Sequence, residues 1–144
     1  MAGADIVTQG EDYLDHTWRP HPDARRFEYS TPQLSYAVGL ARCLSDIFVP
    51  NGIEAIAAET RRLQDVFLAH LDRDLARPIV FPAVHRSGIL SLAPGGDLRA
   101  VVRRLAEVAI TATTRGGYLR IAPHFYNDDE EMIRTATALN DSLG

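Results

Sequence analysis

The segment Thr114-Arg115-Gly116-Gly117-Tyr118-Leu119-Arg120-Ile121-Ala122-Pro123-His124-Phe125-Tyr126-Asn127 decides the reading of this chain. Ile110 to Thr114 is rich in β-formers, Gly116-Gly117 supplies a tight connection, and Tyr118 to Ala122 is a second short apolar run, so the spacing predicts a β-hairpin. Within the second run Arg120 alternates with apolar neighbours. A guanidinium so placed is either paired with a carboxylate of the fold or held to receive one, because its planar fork matches a carboxylate in a two-pronged geometry. Asn127, followed by Asp128, Asp129 and Glu130, is the expected cap of a last helix, whose first-turn acids complement the helix dipole.

Upstream of the hairpin, Asp97 is the expected cap of a helix that turns Leu98, Val101, Val102, Leu105 and Val108 inward. Pro94-Gly95-Gly96 reads as the turn before it, and His85 to Leu92, with apolar and small polar residues interleaved, as a strand. Arg77-Pro78 is expected to end a long helix whose face is Ile53, Ile56, Ala57, Leu63, Phe67 and Leu71, with Glu54, Glu59, Arg61, Arg62, Gln64 and Asp65 on the solvated side. Asn51 and Glu54 have the spacing of a capping box after the break at Pro50-Asn51-Gly52. Before the break, Leu34, Ala37, Val38, Ala41, Leu44 and Phe48 fall at helical intervals, with Thr31 as N-cap and Pro32 at the first helical position. Residues 1–26 are polar and rich in turn formers and read as an extended arm anchored by Trp18. The fold class expected is α/β, more narrowly an α+β two-layer sandwich: an antiparallel or mixed sheet of about three strands packed against helices.

Composition narrows the function. With 144 residues, 46% of them hydrophobic, the chain suffices for one packed domain. No apolar run is long enough to span a bilayer and the N-terminus has no basic region, so a cytoplasmic protein with no membrane partner is expected. The formal charge of -4 is spread without a basic block, which speaks against nucleic acid. The single cysteine, Cys43, excludes an internal disulfide and a Cys-based zinc cluster, and its helical setting reads as a packed thiol. The histidines at 16, 21, 70 and 85 show no metal-ligand spacing, and no metal site is expected. No Gly-x-Ser-x-Gly, phosphate-binding glycine loop or dinucleotide fingerprint occurs.

All fifteen basic residues are arginine. Codon preference accounts for such a bias, but the chemical limit holds regardless: arginine stays protonated and cannot form a Schiff base, whereas lysine can. Ser30 and Thr31, two hydroxyls at a helix start, suit either a plain cap or a phosphate.

Together, Arg26-Phe27-Glu28-Tyr29-Ser30-Thr31-Pro32, Arg86-Ser87-Gly88-Ile89-Leu90-Ser91 and Leu119 to Asn127 resemble, in order and separation, the C-terminal small domain of class V aminotransferases. These are pyridoxal 5'-phosphate (PLP) enzymes of fold type I, and the likeness is nearest to the branch of isopenicillin-N epimerase-like, cysteine-desulfurase-like and selenocysteine-lyase-like proteins. It covers roughly Ala24 to the C-terminus, so 27–144 is the expected small domain. The resemblance implies that Arg120 binds the α-carboxylate of an amino-acid substrate, and that Thr31, with Ser30 in place of the family's glycine, approaches the cofactor phosphate, typically across a homodimer interface. Ala122 and Asp128 replace the serine and threonine of the family's pattern. The hairpin lacks the nucleophilic cysteine of desulfurases. The family's Schiff-base lysine lies in a large domain that precedes the small one, so this chain is expected to be a truncated or split portion of an epimerase-, lyase- or aminotransferase-type enzyme. No catalytic residue of its own is expected, and a separate Lys-bearing domain or subunit is the implied partner. The alternative is a non-catalytic interaction module that pairs through an exposed apolar face.

Overall fold

A computed structural model of the chain describes residues 19–27, 33–79 and 82–144. Trp18, Ser30 and Thr31, and with them most of the arm and the expected phosphate contacts, lie outside the described residues. The chain divides into two compact units, Met1–Pro50 and Asn51–Gly144.

In the first unit, a single 3₁₀ turn spans Ala24–Phe27, and Arg25 pairs with Asp23 at 2.7 Å, holding that carboxyl down at about 2. Helix α1 covers Leu34–Cys43. Gln33 occupies the N-cap position, later than the cap expected at Thr31, and its side chain makes no capping hydrogen bond. A π-helical turn, Leu44–Phe48, and a last turn, Val49–Asn51, prolong the helix past the expected break, so that Pro50 lies inside it. The widening suits Pro50, since Val49 N–H already donates to Leu44 O and proline has no N–H to offer the next rung. No residue of α1 is buried, and Cys43, expected to be packed, is exposed.

The second unit is an α+β fold: helices on one face of a four-stranded antiparallel sheet of order β1-β2-β4-β3. Its elements are α2 (Ile53–His70), β1 (Ala76–Pro78), β2 (Leu90–Pro94), α3 (Leu98–Glu107), β3 (Thr113–Arg115), β4 (Tyr118–Ile121) and α4 (Asp129–Leu143). Helix α2 buries Ile56, Thr60, Leu63 and Phe67, a stripe at steps of four and three residues. Its N-cap is Gly52 at φ 77°, with no side-chain capping bond, so the Asn51–Glu54 capping box does not form; Ile53, expected inside, is exposed. The helix ends at His70, well before Arg77-Pro78, where Leu71 turns extended and Asp72 builds a turn by accepting Asp74 N–H and Ala76 N–H. Arg77 and Pro78 instead belong to β1, a strand too short to show alternation in sequence.

Strand β2 begins at Leu90 rather than His85, because Arg86 and Ser87 are drawn toward α2. Gln64, expected on the solvated side, is fully buried. Its amide donates to Ser87 O at 2.9 Å and accepts from Arg86 Nε at 3.0 Å. Arg86 also donates to Arg61 O and Asp65 Oδ1.

Leu63, Phe67 and Leu71 pack with Val101 and Leu105 of α3 and Met132, Ala136 and Leu139 of α4 against Ala76, Leu90, Leu92, Leu119 and Ile121 of the sheet. Asp97 caps α3 as expected, accepting Arg99 N–H. Val108, expected inward, is half exposed because it is the residue where α3 ends. The cap of α4 is Asp128 rather than Asn127: Asp128 accepts Glu131 N–H while Glu131 accepts Asp128 N–H, a reciprocal capping box. Arg62 ties α2 to α4 through Glu59 at 2.7 Å and Asp129 at 2.6 Å, and its hydrogen bonds hold both carboxyls below their ordinary values. A carboxyl depressed in the folded state stabilises it above the unfolded pKa of about 4 and loses that effect as pH falls through the folded value. The Tm gap between wild type and Arg62→Met is therefore expected at neutral pH and should close on acidification below about 4.

The expected hairpin is present, with Arg115 opposite Tyr118 and a two-residue turn of Gly116 (φ 59°) and Gly117 (φ 83°). Positive φ at both positions is what a type I′ turn requires, and open space surrounds both Cα atoms. Gly117→Ala should therefore lose about 1 kcal/mol by backbone strain alone, measurable by urea unfolding.

Candidate functional site

The pleat sorts the sheet into two faces. Leu119 and Ile121 of β4 and Leu90 and Leu92 of β2 point to the helices, so Tyr118, Arg120, Ser91 and Ala93 point away from them. Paired residues of neighbouring strands share a face, and the register therefore lays out two rows across the open side. One is Ser91, Arg120 and Thr113; the other is Arg77, Ala93, Tyr118 and Arg115.

Arg120 sits mid-strand between the hydroxyls of Ser91 and Thr113, partly buried. Among the described residues its guanidinium has no hydrogen bond or ion pair. Of the two fates open to it in sequence, pairing inside the fold is not the one seen in the described residues. Arg86, the arginine of the other strand motif, is committed to Gln64, Arg61 O and Asp65 instead. Arg77 and Arg115 are exposed and, like Arg120, have no ion pair among the described residues. No acid stands on the strand positions of this face.

The segment after Arg120 is locked. His124 N–H donates to Asn127 Oδ1 at 2.8 Å, Asn127 N–H returns to His124 O at 2.9 Å, and Asn127 Nδ2 donates to Glu131 Oε2 at 3.0 Å. Asn127 thus ties the loop to the first turn of α4, which in turn fixes the end of β4. His124 stacks on Tyr126 at 4.8 Å and tilts against Phe125 at 4.9 Å, and its buried Nδ1 has no hydrogen-bond partner among the described residues. Two clefts flank the loop. One of about 410 Å³ is lined by Thr60, Arg61, Gly88, Ile89, Pro123 and His124, and one of about 320 Å³ by Ile110, Ile121, Tyr126, Asn127 and Arg134, among others. Arg120 lines neither cleft.

Sequence reasoning found Arg120 but not Ser91, Thr113, Arg77 or Arg115. The hairpin alone would have placed Arg115 on the face of Arg120, since a two-residue turn pairs positions 115 and 118. The same register sets Thr113 opposite Arg120, and only Ser91 and Arg77 needed the pairing of distant strands. Among the described residues no group of His, Cys, Asp and Glu is arranged to hold a metal ion, and no helix is long and apolar enough to cross a membrane. A scan of protein-family models finds no match to this chain, and a search of curated proteins finds no relative.

Proposed function

We propose that this chain is the carboxylate-anchoring small domain of a PLP-dependent amino-acid-processing enzyme of class V aminotransferase type, with Arg120 receiving the substrate α-carboxylate. The observation that carries the reading is a partly buried arginine in mid-strand, flanked by two hydroxyls and left without an acceptor among the described residues. Such a guanidinium orients a carboxylate and forms no bond to the reacting carbon, so its contribution is positioning. The cofactor itself does not fit this chain alone. The chain has no lysine, and Ser30 and Thr31, which the resemblance aligns with the phosphate, lie outside the described residues. No step through PLP is therefore assigned to it, and the chain by itself is expected to be catalytically silent. The amine would come from a separate Lys-bearing domain or subunit, with homodimerisation as in the family. A cytoplasmic location belongs to the same proposal. The direct test is titration of the full chain with alanine while following the arginine Nε–H resonances by NMR: the Arg120 signal should shift, and an unmoved signal would sink the assignment.

A second reading, a non-catalytic interaction module, draws on α1. Leu34, Tyr36, Val38 and Leu40 are between 61% and 75% exposed, an apolar surface of the kind that marks association. Under that reading the chain self-associates or binds an environment-sensitive dye, and Val38→Glu with Leu40→Glu should lower the apparent mass by size exclusion. A dye-silent monomer would argue against it.

A further inference from the structure

We infer that the ligand anchored by Arg120 carries a second negative charge, and that Arg115 receives it. This rests on the assignment of Arg120 to the substrate carboxylate and names the class of substrate: an amino acid with an acidic side chain.

The argument starts from the hairpin register. Arg115 pairs with Tyr118 and Thr113 with Arg120, so Arg115 and Arg120 are diagonal neighbours on the open face. Diagonal positions of an antiparallel pair lie about 7 Å apart, within reach of two long side chains working on one small molecule. Both guanidiniums lack an acceptor among the described residues. Arg77 stands in the row of Arg115, on the outer strand β1, and adds to the same positive field.

Three arginines with no acid among the strand positions of this face make a local cationic excess on a chain whose net charge is -4. On α2, by contrast, Arg62 is neutralised by Glu59 and Asp129. A polyanion such as nucleic acid gains its affinity from many phosphate contacts and would meet few cations here, on a chain that repels it overall. A small dianion needs only two. The Gly116-Gly117 turn fixes the backbone of the hairpin, which presets the spacing of the two positions from which the side chains reach.

The test is NMR titration of the full chain at about 0.15 M salt, where long-range attraction is screened, with aspartate, glutamate and alanine as probes. Aspartate or glutamate should shift the Nε–H signals of both Arg120 and Arg115 and bind about tenfold more tightly than alanine, which should shift Arg120 alone. In Arg115→Gln the acidic amino acids should fall to the affinity of alanine while alanine binding is kept. Equal binding of all three by the wild type, or an acidic preference that survives Arg115→Gln, overturns this inference and leaves the Arg120 assignment standing. An Arg120 signal that no probe moves overturns both.

Discussion

Gln64→Leu is expected to lower the unfolding free energy by about 3 kcal/mol, although leucine is apolar, similar in size and well suited to a helix. The amide is fully buried and spends both of its ends on one segment: Nε2 on Ser87 O at 2.9 Å and Oε1 on Arg86 Nε at 3.0 Å. Leucine would leave a backbone carbonyl without its side-chain donor and one guanidinium N–H without its acceptor, and the cost of stranding a charged donor exceeds that of a neutral one. Urea unfolding should show a lower midpoint with an unchanged slope, and the Tm should fall by about 10–20 °C. The double variant Gln64→Leu with Arg86→Met removes the stranded charge and should recover part of the loss, which a purely steric effect would not. A loss below about 0.5 kcal/mol, the range of ordinary surface substitutions, would show that the network does not hold the entry to β2.

That network also explains where the sequence could be read and where it could not. Elements announced by local chemistry appear as expected: the Gly116-Gly117 hairpin, Asp97 as the cap of α3, and the apolar stripe of α2. Boundaries decided by distant partners do not. His85 to Leu92 alternates like a strand, yet Arg86 and Ser87 are claimed by Gln64 more than twenty residues away, so pairing starts only at Leu90. Gln64 itself looked solvated because polarity, not partnership, is what a helical pattern reports. Asn127 and Asp128 are adjacent capping residues, and only the geometry decides that Asp128 takes the cap while Asn127 spans the loop. For the site, alternation within one strand exposed Arg120 and the two-glycine turn sets Thr113 opposite it, but its other neighbour, Ser91, comes from a strand whose register no local signal specifies.

Arg120→Gln should have the opposite profile: stability within about 0.5 kcal/mol of wild type, and carboxylate binding lost by about 100-fold. Two strand motifs each carry an arginine, and the fold treats them differently. Removing Arg86 breaks bonds to Gln64, Arg61 O and Asp65, whereas Arg120 makes none among the described residues, so its removal strands nothing within them. Arg120→Lys separates charge from shape. Lysine keeps the positive charge but offers a compact point in place of a planar fork, so about a tenfold loss is expected, intermediate between wild type and glutamine. Thermal unfolding and NMR titration with alanine, run on the same three proteins, read both quantities. A destabilisation above about 1 kcal/mol in Arg120→Gln would mark Arg120 as structural, because that exceeds what a partnerless arginine should contribute. Lysine matching arginine in affinity would mean that the site reads charge alone, and the two-pronged orientation that makes a small domain useful to a reaction would be absent.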